Sequence, residues 1–170
     1  FLRPQRHLRL QCQKRRHTQL PDVVSPAVRS RMMSGIRGKD TKPELTMRTG
    51  LHALGYRYRL HDRALPGKPD IVFQGRKALI FVHGCFWHHH DCHLFKWPKS
   101  RPDFWREKIT ANQVNDEKHI ASLREAGWRV LVVWECALKG KTRLPVGDPV
   151  IQASNWLESG SVFLEIRGAD

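Results

Sequence analysis

The residues with the clearest chemical potential lie in one segment, residues 84–93, which reads Gly-Cys-Phe-Trp-His-His-His-Asp-Cys-His. Cys85 and Cys92 are accompanied there by four histidines, and thiolate and imidazole together are typical zinc ligands. The short spacing favours a metal site over a histidine-rich loop that binds metal adventitiously. With Cys136 as a third thiolate, one imidazole would close a structural zinc site. The spacing leaves open which histidine is the fourth ligand: His88, His89, His90 or His93.

A second candidate site is centred on Asp70, which follows Pro69 at the mouth of an apolar hairpin. Aspartate is common in ordinary turns, so this position gains weight only from its neighbours. The return strand would bring the main-chain carbonyl of Val82 and the ring of His83 to the same end of the hairpin. Carboxylate and carbonyl oxygens suit Mg²⁺. His83 and His88 are then candidates for proton transfer, because histidine titrates near physiological pH.

The chain of 170 residues is strongly basic, with a formal net charge of +14 and a pI near 10.3. This charge predicts a salt-sensitive attraction to a polyanion, most often nucleic acid. A hydrophobic content of 40% argues against a disordered chain, and no apolar run is long enough to span a bilayer. A zinc-type and a magnesium-type site side by side in such a protein favour a metal-dependent nuclease.

Several further side chains have both a functional and a structural explanation. Glu44, near a predicted helix start, is more often a capping residue than part of a site. Phe86, Trp87 and Trp105 can stack on bases or wedge between them, but they can equally pack as a small core against the zinc-type loop. Met33 has the same ambiguity, because an unbranched apolar side chain serves as a wedge or as core filler.

The predicted elements would bring these residues together. A capping box at residues 41–44 starts a helix whose inner face carries Met47, Leu51 and Leu54. Apolar runs predict strands at 56–60, 70–73, 78–82 and 128–134, and the periodicity predicts helices at 102–126 and 149–158. A strand, long helix and strand imply a right-handed parallel crossover, which would place residues 85 and 136 at the same sheet edge. The fold class is therefore a three-layer α/β domain.

The domain organisation follows from a shift in composition. The first twenty residues hold six Lys or Arg and no Asp or Glu. We predict a basic, disordered tail over residues 1–22 and a single domain over residues 23–170. An organellar transit peptide is the alternative for the tail, although the serine richness of such peptides is missing.

Five motifs in consistent order resemble the Vsr endonucleases, which are the very-short-patch mismatch repair enzymes. The motifs are LPGKPD at 65–70, IFVHGCFWHHH at 80–90, FWxxKI at 104–109, GWRVL at 127–131 and WECAL at 134–138. The resemblance runs from about residue 25 to residue 138. It implies a restriction-endonuclease-like core with a mixed central sheet flanked by helices. It also implies an enzyme that nicks one DNA strand 5′ of the thymine in a T·G mismatch, a product of 5-methylcytosine deamination.

The resemblance also implies residue roles. Asp70 and the main-chain carbonyl of Val82 would hold a catalytic Mg²⁺, and His88 would be the general base. His83 and Glu44 would support the hydrated metal and the phosphate. Structural zinc would be held by Cys85, His90, Cys92 and Cys136. An aromatic wedge beside the mismatch would be formed by Phe86, Trp87 and Trp105, with Met33 as a wedge on the opposite side.

Two positions depart from the family pattern. Val82 stands where a threonine is found in the best-known member, a change that a main-chain ligand would survive. Asp91 replaces a further histidine and leaves the implied zinc ligands intact. The acidic-x-lysine element on the second strand of restriction-type nucleases is missing, as it also is in this family.

The implied partner is double-stranded DNA with a T·G mismatch, with other mismatch-repair proteins as further partners. A monomer in the bacterial cytoplasm, associated with the nucleoid, is expected. One rival is a restriction-type nuclease that cuts DNA without a mismatch, which is distinguished by whether cleavage needs the T·G pair. Another is a zinc-stabilised DNA-binding module without chemistry, for which Asp70→Asn would change nothing measurable. A zinc deaminase is disfavoured, because its His-x-Glu and Pro-Cys-x-x-Cys pattern is missing.

Overall fold

The structure, a computed structural model, describes residues 25, 27, 28, 30, 31 and 38–169. The described strands are β1 (Arg59–Leu60), β2 (Ile71–Phe73), β3 (Ala78–His83), β4 (Arg129–Trp134) and β5 (Phe163–Ile166). Within residues 38–169 the helices are α1 (Lys42–Ala53), α2 (Pro102–Glu125), α3 (Glu135–Leu138) and α4 (Asp148–Glu158), with a 3-10 turn at Gln74–Arg76. The predictions for Met33 and for residues 1–22 lie outside the described residues, and the single domain at 23–170 stays a prediction.

The described strands form one mixed sheet in the order β1-β2-β3-β4-β5. The β1–β2 and β2–β3 pairs are antiparallel, whereas the β3–β4 and β4–β5 pairs are parallel. The predicted hairpin and the predicted crossover through α2 are both confirmed. Since His83 pairs with Trp134 at the ends of β3 and β4, residues 85 and 136 leave the sheet at the same edge, as predicted.

Alternating side chains of the central strands feed two hydrophobic clusters. One face of the sheet packs with α1 and α4 in a cluster that includes Met47, Leu51 and Trp156. The other face packs with α2, where Leu123 is buried and Ile120 is partly buried. The sheet is thus covered by helices on both faces, which leaves the strand ends as the place for a site.

Two local predictions need correction. Leu54 was predicted on the inner face of α1, but the helix ends at Ala53 and Leu54, as the C-cap residue, is 47% exposed. The strand predicted at 56–60 is limited to Arg59–Leu60, both exposed at the sheet edge. The sequence reasoning also missed β5, a four-residue strand whose burial is too uneven to give a clear alternating pattern. In the part of the chain that the structure describes, the helices are too short or too polar to cross a membrane.

Candidate functional site

Three cysteines and one histidine meet at the carboxyl edge of the sheet. Cys85 lies in the loop after β3, and Cys136 lies in α3, which directly follows β4. The Nδ1 atom of His90 is 3.7 Å from the Sγ atom of Cys85 and 3.5 Å from the Sγ atom of Cys136. With Cys92 included, the four ligand atoms all lie within 4.8 Å of one another. We call these four residues the thiolate cluster.

The geometry of the thiolate cluster fits a tetrahedral zinc ion. Zn–S and Zn–N bonds of about 2.3 and 2.1 Å place sulfur and nitrogen about 3.6 Å apart in a tetrahedron. The two separations from the His90 ring bracket that value. Burial raises the pKa of the Cys85 and Cys136 thiols and lowers the pKa of His90. Three thiolates in this volume would therefore need a cation to hold their charge, and a neutral imidazole is available to complete the set.

The loop at 84–93 sends its histidines to different places. His90 is buried in the thiolate cluster, and its ring stacks on Trp134 at 4.2 Å. His89, with a left-handed φ of 52°, instead has its Nδ1 atom 3.2 Å from the Oε1 atom of Gln113. His93 accepts the Lys141 main-chain N–H and also contacts Thr142. The structure therefore separates histidines that spacing could not, because the loop backbone decides where each ring lies.

Two main-chain contacts surround the thiolate cluster. The N–H of Gly168 donates to the Sγ atom of Cys136 over 3.3 Å, and the N–H of Cys85 donates to Glu135 over 3.2 Å. A Cβ atom at residue 168 would lie 2.6 Å from the Oγ1 atom of Thr142 and 2.8 Å from the carbonyl oxygen of Cys136. A side chain at this position would therefore displace the donor from the sulfur. Neither Glu135 nor Gly168 was singled out by the sequence reasoning.

A cavity of about 940 Å³ lies beside the thiolate cluster. Its walls come from the start of α1 and the residues before it, the β1–β2 connection, the end of β3, the loop after β3, α2, and the segment at α3. All five residues predicted for catalysis or magnesium binding line it: Glu44, Asp70, Val82, His83 and His88. The sequence prediction thus assembled residues that the fold does bring together, although their roles stay a prediction.

Asp70 is held at the mouth of the hairpin by the main chain of β3. The N–H of Val82 donates to the Oδ2 atom of Asp70 over 2.7 Å. Burial raises the pKa of Asp70 to about 6, and the charge of Glu44 adds to that rise, while the hydrogen bond from Val82 opposes it. The Oδ1 atom lies 3.7 Å from the Nδ1 atom of His61. This carboxylate is therefore partly buried without a full complement of positive charge, a setting that suits a metal ligand.

His83 and His88 form a stacked pair that is tied to α2. Their ring centroids are 3.8 Å apart, with planes within 3° of parallel. The Nδ1 atom of His88 is 2.5 Å from the Oδ2 atom of Asp116. Burial lowers the pKa of His83 to about 3, so this imidazole is neutral near physiological pH. A carboxylate that engages Nδ1 fixes the ring, leaving Nε2 as the nitrogen able to accept a proton.

Asp116 and His61 are cavity residues that the sequence reasoning missed. Asp116 follows His88 by 28 residues and lies within a long polar stretch of α2, so no local motif marks it. His61 adopts a left-handed φ of 49° just after β1, and its buried Nε2 atom has no hydrogen-bond partner among the described residues. That atom lies 4.0 Å from Glu44 and 3.9 Å from Asp40. Only the folded chain places these groups beside Asp70.

Glu44 combines the two explanations considered for it. Thr41 donates its hydroxyl to the Glu44 carboxylate over 2.8 Å, and the Asp40 N–H donates to the other oxygen over 2.9 Å. The capping interaction is therefore present, although Glu44 contacts the N–H of Asp40 where a standard capping box would use that of Thr41. The side chain is buried and also lines the cavity, so its helix-capping bonds fix a carboxylate near Asp70.

The predicted aromatic residues form one cluster at the rim of the cavity. The ring centroid of Phe86 lies 5.1 Å from that of Trp87 and 5.5 Å from that of Trp105. The Asn112 amide donates to the Trp87 main-chain carbonyl, which ties the loop to α2. The three rings are half-buried, and Phe86 and Trp87 line the cavity. The three rings therefore pack against one another, and two of them also line the cavity.

Comparison with known proteins gives a consistent picture. The model of the family described as DNA mismatch endonuclease Vsr matches residues 21–94. The DNA mismatch endonuclease Vsr of Escherichia coli is 42% identical over 151 residues, which cover 88% of this chain and 97% of that protein. The type II nicking enzyme V.XorIIP of Xanthomonas oryzae is 50% identical over 70% of this chain and 88% of that protein. The type II nicking enzyme V.NmeAIP of Neisseria meningitidis is 46% identical over 72% and 87%, respectively.

Proposed function

The chain belongs to the Vsr family of DNA mismatch endonucleases and is a DNA-nicking hydrolase of that family, and we propose that it nicks one strand 5′ of the thymine in a T·G mismatch. One observation carries the proposal. The cavity that holds Asp70 and His88 is bordered by the half-buried rings of Phe86 and Trp87. Groups suited to hydrolysing a phosphodiester thus adjoin groups suited to probing base stacking.

Asp70 and the main-chain carbonyl of Val82 are the groups we propose for Mg²⁺ binding. When bound, Mg²⁺ would polarise the scissile phosphate and lower the pKa of an attacking water. The raised pKa of Asp70 fits this role, because its partly buried carboxylate is short of positive charge in the protein alone. Glu44, fixed by its capping bonds, would hold water around the metal and the phosphate.

His88 is the group we propose to accept the proton of the attacking water. Its Nδ1 atom is engaged by Asp116, so Nε2 is the nitrogen that can take a proton, and the carboxylate stabilises the imidazolium that forms. The ring of His83 stacks on that of His88 and stays neutral because burial lowers its pKa to about 3. His83 would therefore hold the base in position without adding a repulsive charge.

Recognition of the mismatch is proposed to use the aromatic cluster. A T·G wobble pair stacks less well than a Watson–Crick pair, so opening the duplex there costs less than the usual few kcal/mol per step. Contact with an aromatic ring contributes about 1–3 kcal/mol per base, which offsets much of this cost. Phe86, Trp87 and Trp105 would enter from one side. Met33, outside the described residues, stays a prediction for the opposite side.

The thiolate cluster is proposed to bind structural zinc through Cys85, His90, Cys92 and Cys136. This ion would tie the loop after β3 to the residues after β4. We also propose that the sheet with helices on both faces is a restriction-endonuclease-like core. The protein would act as a monomer in the bacterial cytoplasm on nucleoid DNA, with other mismatch-repair proteins as further partners.

A strand-resolved nicking assay tests the proposed function. A labelled duplex with one T·G pair and its T·A control are incubated with Mg²⁺ or with EDTA. Asp70→Asn is assayed beside wild type, with Asp148→Asn as a matched control because Asp148 is an exposed carboxylate on α4 outside the cavity lining. We expect a nick 5′ of the mismatched thymine that needs both Mg²⁺ and Asp70.

Other outcomes of this assay point to other functions. Cleavage of the T·G and T·A duplexes at equal rates would contradict mismatch specificity and support a restriction-type enzyme. Binding without cleavage across a panel of flanking sequences, with zinc present and Asp70→Asn equal to wild type, would support a DNA-binding module.

A further inference from the structure

The aromatic cluster continues beyond the three rings assigned to mismatch recognition. The ring of Phe95 lies 6.2 Å from that of Phe86, and the ring of Trp97 lies 5.0 Å from that of Phe95. His89 packs against both, at 4.7 Å from Phe95 and 5.1 Å from Trp97. Trp97 is the outer end of this chain of rings and is 43% exposed. A large indole is therefore supported from beneath and open to solvent.

The segment that carries Trp97 is strongly cationic. Residues 94–102 read Leu-Phe-Lys-Trp-Pro-Lys-Ser-Arg-Pro, with three cations and no carboxylate. Lys96, Lys99 and Arg101 are all exposed. The Arg101 guanidinium lies over the ring of Phe104 at 4.4 Å. Neither lysine forms an ion pair with any residue between 38 and 169, so their charges are available to an external anion.

We propose that residues 95–101 form a second DNA contact, in which Trp97 packs on a nucleotide flanking the mismatch and Lys96 and Lys99 contact phosphates beside it. The proposal rests on the proposed function, because it places the mismatch at Phe86 and its neighbours. Two ring-to-ring steps of 5.0 and 6.2 Å separate Trp97 from Phe86. The nucleotide that Trp97 contacts should therefore lie within about three base-pair steps of the mismatch, at 3.4 Å for each step. Residues 95–101 are called the flank segment below.

Charge and stiffness favour DNA as the occupant of this surface. The lysines beside the indole match a phosphate backbone, whereas an apolar protein partner would leave them unpaired. Because Phe95 and His89 already hold the ring, Trp97 has little side-chain freedom to lose on binding. Apolar contact with a base edge distinguishes thymine by its methyl group, so the flank segment would contribute to sequence preference next to the mismatch.

Duplex truncation tests where Trp97 acts. Wild type and Trp97→Ala are compared on three T·G duplexes: a full duplex, one cut to a single base pair on one side of the mismatch, and one cut on the other side. We expect Trp97→Ala to weaken binding to the full duplex about tenfold, consistent with the loss of one aromatic contact. On one of the truncated duplexes, wild type and variant should bind equally, because the contacted nucleotide is missing.

Three results would overturn the role of Trp97: equal affinity of wild type and variant on the full duplex, the same loss on all three duplexes, or failure of Trp97→Phe to recover binding. A uniform loss would show that the residue acts only through packing of the loop. Ile151→Ala is the control for removing an exposed apolar side chain, because Ile151 is 50% exposed on α4. This control should bind all three duplexes like wild type.

Salt dependence tests the two lysines separately. Lys96→Ala and Lys99→Ala should each reduce the slope of log K against log salt by about one, as expected for one lost phosphate contact. Lys118→Ala, which removes an exposed cation far along α2, is the control and should leave the slope unchanged. Slopes that equal the wild-type value in both flank variants would contradict the phosphate contacts.

Wild type, assayed on the full T·G duplex and on its T·A control, keeps the two proposals apart. If wild type does not distinguish the T·G duplex from its T·A control, the proposed function fails. If wild type prefers the mismatch and Trp97→Ala binds every duplex like wild type, the flank segment alone is excluded.

Discussion

The thiolate cluster and the cavity beside it are assembled in opposite ways. Three of the four cluster residues lie within eight positions of the chain, and the cluster is largely buried. The cavity draws its charged groups from residue 39, just before α1, to residue 139, just after α3. The thiolate cluster is thus largely encoded in local spacing, whereas the cavity proposed for DNA cleavage depends on distant segments.

The two regions nevertheless share a wall. His88 faces the cavity and His90 faces the thiolate cluster, with His89 at a left-handed φ between them. Substitutions in the two regions should therefore affect each other unequally. A change in the cavity should leave the cluster intact, while loss of the cluster should disturb the loop that carries His88.

Asp70→Asn should have the largest effect. We expect nicking to fall by about 1,000-fold or more, because the proposed ligand for the catalytic metal loses its charge. Thermal stability and zinc content should stay near wild type, since the change replaces a partly buried carboxylate with a neutral group of the same shape. Nicking at the wild-type rate would show that the chemistry proposed for the cavity does not depend on Asp70. The assay is single-turnover nicking, with thermal melting measured in parallel.

Cys136→Ser should abolish zinc binding and lower the melting temperature by about 10 °C, because a structural zinc site contributes directly to folding. Nicking should fall as well, since the proposed zinc ion would tie Cys136 to the loop that presents His88. Metal content is measured by elemental analysis and stability by thermal melting. Cys12→Ser removes a thiol that precedes the motif and is the matched control. Unchanged zinc content in Cys136→Ser would remove this residue from the site.

Asp116→Asn tests the cavity contact that no motif revealed. We expect nicking to fall about 100-fold, because the amide no longer stabilises a protonated His88. Zinc content and affinity for the mismatched duplex should be unchanged. Glu117→Gln alters the neighbouring exposed carboxylate on α2 and should nick like wild type. Equal rates for both variants would show that the 2.5 Å contact has no part in the chemistry.

Gly168→Ala should have the smallest effect, and this effect should be confined to the thiolate cluster. A Cβ atom there would displace the N–H that donates to Cys136, so zinc affinity should drop about tenfold in a chelator competition. Nicking by the zinc-loaded protein should change little. Gly160→Ala is the matched control, because a Cβ at residue 160 meets no atom within 4 Å. Equal zinc affinity of the two variants would show that this hydrogen bond is dispensable.

The sequence predicted most of what depends on local pattern. Apolar runs identified β2, β3 and β4, and the long helix between β3 and β4 gave their parallel pairing. The spacing of Cys85 and Cys92 indicated the thiolate cluster. The choice among the four histidines of the loop needed backbone dihedral angles, above all at His89, which single-residue spacing does not encode.

The partners of the catalytic candidates were beyond sequence reasoning for a different reason. Asp116 is one polar residue among many on α2, and only the packing of that helix beside β3 places it against His88. His61 lies near Asp70 because of a left-handed turn after a two-residue edge strand. Neither position follows from periodicity, since both depend on how separate elements meet.

The alternation of the histidines in the loop at 84–93 has a consequence for how this protein tolerates change in length. One residue inserted or deleted between His88 and His90 would shift one ring out of its place and disturb both the cavity and the thiolate cluster. A substitution at exposed Asp91, by contrast, keeps the number of residues between the two rings. Natural variation and engineering can therefore alter the composition of this loop at selected positions, but its length between the two histidines must be kept.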